Sequence, residues 1–120
     1  MTIALWIING LLAAMYLFAG GMKAARPPAA LVESGMAWVA DSPPWGPRVV
    51  GSVELLGAVG LILPLATGIA PILTPLAATG LALLMAGASV VHVRRKESPV
   101  TTIVLAALAT TSAVLGFLSL

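Results

Sequence analysis

The chain has 120 residues, of which 60% are hydrophobic and only 8% are charged, against about 25% charged in an ordinary soluble domain. Six basic and four acidic residues cannot coat a water-soluble domain, so a soluble globular enzyme, a disordered chain and a nucleic-acid module are excluded. The net charge of +2 reads as a topology signal, and the lack of cysteine excludes disulfides, thiolate metal sites and thiol redox chemistry.

A membrane-crossing helix needs about 20 mostly apolar residues, and four stretches qualify. The first, residues 2–22, is uncharged until Lys23. It has no basic leader and is followed by Lys23 and Arg26 where a cleavage site would need small residues, so it reads as a span and not as a secretory signal. Segment 28–41 follows, apolar from Ala29 to Ala40 but for Glu33, opened by Pro27 and Pro28 and closed by Pro43, Pro44 and Pro47. It reads as a short helix that lies in the interface or re-enters the bundle, with Trp38 and Trp45 at headgroup depth. Whether it is a plain linker or a lid over a cavity stays open. The second span, 49–66, carries one acid, Glu54. Pro64–Pro71 reads as a tight turn, with Pro75 tolerated early in the third span, 72–93. The fourth span, 100–120, has no charge. The expected fold is all-α: a single membrane domain, a four-helix transmembrane bundle with a short interfacial or re-entrant helix between the first and second spans.

Lys23, Arg26 and Arg48 flank the first connection, and Arg94, Arg95 and Lys96 occupy the third; the second connection has no charge. The positive-inside rule puts the first and third connections in the cytoplasm and both termini outside.

Ionisable side chains at membrane depth are costly and usually face the bundle interior. Glu54 stands six residues, about 9 Å, along its helix from Arg48, and its neighbours Gly51, Gly57 and Ala58 make that face a packing face. Asn9, Tyr16 and Lys23, seven residues apart, share one stripe of the first helix, and His92 continues the line Leu81–Met85–Ala88 on the third. Lys23, Arg48, Glu54 and His92 are therefore expected to form one polar cluster at the cytoplasmic end. Glu54 and His92 are the candidate catalytic residues, as acid and base. Lys23, Arg48, Tyr16 and Asn9 are the candidate ligand-binding residues. Against this stand plainer readings: Lys23 and Arg48 as snorkelling anchors, His92 as an interfacial residue, Asn9 and Tyr16 as interhelical hydrogen-bonding groups, Gly80 and Gly87 as packing positions. The threonines and Ser112 of the last span can bond to their own helix. Glu54 and His92 alone are too few ligands for a firm metal site, so none is expected. No haem, flavin or nucleotide motif is present.

These residues resemble the DoxX-like family of small four-helix integral membrane proteins. The match runs through Gly20-Gly21-Met22-Lys23, Arg48-Val49-Val50-Gly51-Ser52-Val53-Glu54-Leu55-Leu56-Gly57-Ala58, Gly60 to Pro64, Leu76 to Ala82, and Gly87-Ala88 leading to His92-Val93-Arg94-Arg95. It covers about residues 14–97, and the Arg…Gly…Glu…Gly run with a downstream His is its most specific part. The resemblance implies a multi-pass protein of a prokaryotic inner (plasma) membrane whose recurrent positions fall on Lys23, Arg48, Glu54 and His92. The family's namesake is similar to a subunit of an archaeal thiosulfate:quinone oxidoreductase, so a quinone is the one cofactor it brings into view. Other members are associated with oxidative-stress complexes, and eukaryotic relatives resemble trafficking or assembly factors. The missing cysteines depart from any thiol-relay role.

Three readings follow, and whether the protein is an enzyme stays open among them. The first is a lipophile-binding protein with an intramembrane polar pocket, acting by acid–base chemistry on an epoxide, enol or quinone oxygen or serving as a quinone-linked oxidoreductase component. It expects Glu54→Gln to abolish activity and spare expression. The second is a non-catalytic accessory or assembly protein in which the cluster is a structural ion-pair network. It expects Glu54→Gln to misfold and a charge-reversed pair to restore the fold. The third, a small multidrug-type exporter, is disfavoured because such proteins resemble chains with an acid in the first helix and weak charge bias. A membrane lipid or lipophilic molecule is the expected partner, without nucleic acid, alongside a possible homo-oligomer or partner membrane complex.

Overall fold

An uncharged stretch of about 20 residues in hydrocarbon can satisfy its N–H and C=O groups only within itself. Each of the four expected spans is accordingly a helix. The computed structural model describes residues 2–120, with side chains from Ile3 onward. Its elements are α1 (Thr2–Ala25), α2 (Pro28–Glu33), a 3-10 turn (Ala37–Asp41), α3 (Gly46–Thr67), α4 (Leu73–Arg94) and α5 (Val100–Leu118). The long axis of the molecule is 41 Å, enough to cross a hydrocarbon core of about 30 Å.

The long helices run up and down in order around the bundle. α1 packs extensively on α3, α3 on α4, and α4 on α5, while α1 and α5 meet along a thinner seam. Leu12, Tyr16, Ala58, Leu61, Leu81, Met85 and Ala109 form the buried centre. The outside is apolar, with Phe18, Leu56 and Leu83 at least 70% exposed, as suits a surface solvated by lipid. All ten charged side chains, from Lys23 to Glu97 in sequence, lie at the end where α1 and α4 finish and α3 and α5 begin. We call it the basic end.

Small residues set how closely the helices cross. A Cβ on Gly51 would lie 2.6 Å from the Gly20 carbonyl oxygen and 2.8 Å from the Ala24 nitrogen, so α1 and α3 touch backbone to backbone. Gly57 receives Leu81, and Gly60 receives Ala77, at the α3–α4 crossing. Gly80 and Gly87 do not pack as expected. Nothing lies within 4 Å of a Cβ on either, and both face outward.

Several boundaries differ from the sequence expectation, and α1 continues to Ala25, three residues past the expected end at residue 22. α3 starts at Gly46, three residues before the expected Val49, and absorbs Pro47 and Arg48, because proline in a first turn has no intrahelical N–H bond to lose. It also continues through Pro64, which was expected to open the turn. Gly68 ends the helix instead, at φ 72°, with its N–H donating to the Pro64 carbonyl at 2.9 Å. Segment 28–41 is two pieces. Gly35 at φ 108° stops α2 in a Schellman motif, in which the Met36 N–H donates to Leu31 and the Gly35 N–H to Val32. The 3-10 turn then follows, and buried Leu31 and Val39 anchor the two halves.

Candidate functional site

The stripe on α1 forms as its spacing demands. Asn9 and Tyr16 are fully buried and Lys23 is mostly so. The Gly20–Gly51 crossing sits one turn from Lys23 on α1 and one turn from Glu54 on α3. It brings the two side chains together, and Lys23 Nζ donates to Glu54 Oε1 at 2.6 Å. The Glu54 side chain is 1% exposed and that of Lys23 13%. This is an ion pair taken out of water, stable only because each charge answers the other.

Beside the pair lies a cavity of about 700 Å³ in the basic half of the bundle. Tyr16, Lys23 and Glu54 line it, with Met85, Ala88 and His92 from α4, Thr102 and Leu105 from α5, and Trp38 from the 3-10 turn. The interfacial segment thus covers one side of the cavity. Phe18, Leu83 and Gly87 also line it yet are exposed on the outside of the bundle. The cavity therefore opens sideways toward lipid. Its volume falls in the range of small-molecule sites, roughly 300–1,000 Å³.

Two polar atoms of this wall are buried and have no hydrogen-bond partner among the described residues: the Tyr16 hydroxyl and His92 Nδ1. Buried hydroxyls are nearly always bonded, so an unbonded one in a cavity wall is a candidate ligand contact. His92 Nδ1 lies 3.5 Å from Glu97 Oε1, close enough for attraction but not aligned for a hydrogen bond. α4 ends in a second Schellman motif. Lys96 takes φ 58°, and the Glu97 N–H donates to the His92 carbonyl at 2.8 Å. That turn folds Glu97 back beside His92 and toward Arg95, whose Nε donates to Glu97 Oε1 at 3.1 Å. Arg95 also pairs through Nη1 with Asp41, the last residue of the 3-10 turn. The α4–α5 connection and the segment carrying Trp38 are thereby tied together.

The expected four-member cluster is assembled only in part. Lys23, Glu54 and His92 share the cavity, but no hydrogen bond or ion pair joins His92 to Glu54 among the described residues. Arg48 stands apart, exposed on the first turn of α3 and outside the cavity wall. It follows Pro47, which faces inward, and the helix turn carries Arg48 away. Asn9 is also outside the wall. Its amide donates to the Leu61 carbonyl at 3.0 Å and its carbonyl accepts from Ser112, so it bridges α1, α3 and α5. Ser112 therefore bonds across helices, whereas Thr110 and Thr111 bond back to their own helix as expected. Sequence reasoning missed the Asp41–Arg95–Glu97 chain. Those residues stand 54 and 2 positions apart, with no periodicity to link them. Among the described residues no group of three or more acidic or histidine side chains could hold a metal ion.

No curated protein and no solved structure matches the chain. The sequence profile of the DoxX-like family matches residues 7–115, nearly the whole bundle. Taken with the four apolar helices long enough to cross a membrane, that match makes this multi-pass chain a member of the DoxX-like family.

Proposed function

We propose that the protein binds a lipophilic small molecule, such as a quinone or terpenoid, with its head in the cavity at the basic end and its apolar body leaving sideways into lipid. One observation carries this reading: the Tyr16 hydroxyl is buried and unpartnered in the wall of an otherwise mostly apolar cavity that opens on the lipid-facing surface. The positive-inside rule orients the basic end toward the cytoplasm, so the ligand would come from the inner leaflet. Acid–base work on an epoxide, enol or quinone oxygen would fall to Glu54, beside Lys23, and to His92, beside Glu97. Each of these is already engaged with a charged neighbour, so binding is the primary role and catalysis an elaboration of it.

The second reading, a structural ion-pair network in an accessory protein, draws support from the direct Lys23–Glu54 contact. Gentle extraction followed by mass spectrometry of co-purifying small molecules separates the two. The comparison is with Gly87→Phe, which adds a ring at the cavity mouth where nothing lies within 4 Å. A specific lipophile on the wild type and absent from the folded variant is the expected result. Bulk phospholipid alone on both would reject the ligand reading.

A further inference from the structure

We infer that the cavity selects an uncharged, oxygen-bearing head group, a ketone, alcohol or ether on an apolar body, and rejects carboxylate, phosphate and ammonium heads. The inference rests on the reading of the cavity as a ligand site and names the class of ligand it takes.

Charge balance decides which head groups the cavity admits. The cavity wall carries one lysine and one acid, Lys23 and Glu54, and they are bonded to each other. Their charges sum to zero. The nearest further charges are also committed, Arg95 to Asp41 and Glu97, and Glu97 lies beside His92. Arg26, Arg48, Arg94 and Lys96 are exposed and outside the wall.

An anionic head entering this space would meet the Glu54 carboxylate with no lysine or arginine to spare, and His92 already has the Glu97 carboxylate beside it. To pair it, Lys23 would have to leave Glu54, which is 1% exposed and cannot reach water in compensation. That exchange leaves Glu54 buried and uncompensated, the most costly arrangement available. A cationic head could pair with Glu54 only by displacing Lys23, whose ammonium can rise toward the headgroups; one paired cation replaces another, and the head gives up its hydration for no new pairing.

A neutral oxygen disturbs none of this. The Tyr16 hydroxyl is free to donate to a carbonyl or ether, or to exchange a hydrogen bond with an alcohol. Apart from His92 and the threonines of α5, the rest of the wall, including Met85, Ala88 and Leu105, is mostly apolar and suits the body that follows.

The test uses tetradecanol, tetradecan-2-one, tetradecanoate and tetradecylammonium at equal mole fraction in nanodiscs holding the full chain, with occupancy read by native mass spectrometry. The alcohol and ketone should exceed both charged probes by at least about tenfold. Tyr16→Phe should lower occupancy by the neutral probes about fivefold, the worth of one hydrogen bond, and leave the charged probes unchanged. Glu54→Gln, which frees Lys23, should raise tetradecanoate occupancy. Charged probes bound as well as neutral ones would overturn the inference while leaving the ligand site standing. Indifference of the neutral probes to Tyr16→Phe would overturn the assigned contact. No occupancy by any probe would reject the ligand site itself.

Discussion

Replacing Glu54 by glutamine leaves the Lys23 ammonium without its counter-charge. Breaking a buried ion pair from one side costs about 3–5 kcal/mol, because the remaining charge stays desolvated. The two halves of this pair are not equivalent. Lys23 is 13% exposed near the basic end of α1, and its long stem can lift the ammonium toward headgroups. Glu54 is 1% exposed and has no such route. Glu54→Gln should therefore lie near the bottom of the range, about 3 kcal/mol, and Lys23→Met nearer the top, about 4–5 kcal/mol. The double variant Lys23→Met/Glu54→Leu removes both charges and should return to within about 1 kcal/mol of the wild type, as apolar replacements of buried pairs commonly do. Unfolding in mixed micelles, followed by circular dichroism against SDS fraction, gives all four stabilities. Single variants within about 0.5 kcal/mol of the wild type, or a double variant as unstable as the worse single, would refute the reasoning.

Other outcomes follow from the same contacts. Gly51→Ala should cost about 2 kcal/mol in that unfolding assay, since its Cβ meets backbone atoms of α1 that cannot step aside, whereas Gly80→Ala should be neutral or stabilising. Lys96→Gly should stabilise by up to about 1 kcal/mol, because a left-handed residue in a Schellman motif favours glycine; destabilisation would show that the Lys96 side chain makes a contact that matters. Asp41→Asn removes an exposed ion pair worth at most about 1 kcal/mol. It should leave global stability unchanged and speed amide exchange in residues 37–41, read by hydrogen–deuterium exchange.

The spans, their order and the charge asymmetry were legible in the sequence because the bilayer makes them nearly local properties. Uncharged length specifies a helix, and the placement of Lys and Arg specifies which ends lie together. The inward stripe of Asn9, Tyr16 and Lys23 was legible for the same reason, since a seven-residue spacing holds a side chain on one face whatever the helix packs against. Glu54 was legible from its isolation in an apolar helix beside small residues. Arg48 was misplaced because its location depends on where α3 begins, and a proline at position 47 can as well end a loop as open a helix. Gly80 and Gly87 were misread because composition does not say which side of a helix a neighbour occupies. Trp38 was visible as an interfacial residue, but its place in the cavity wall depends on Gly35 breaking segment 28–41 in two. The Asp41–Arg95–Glu97 chain is wholly tertiary and left no local trace.

The central claim is that the cavity beside Lys23 and Glu54 holds a lipophile. Photo-crosslinking tests it most directly, using an alkyl alcohol with a diazirine next to the hydroxyl, reconstituted with the protein in nanodiscs, irradiated and mapped by peptide sequencing. The account predicts adducts concentrated on residues 15–23, 50–54, 83–92 and 101–105, which bound the cavity, and their loss in Gly87→Phe. Adducts spread over the outer faces of α4 and α5, at the same level in both proteins, would contradict it.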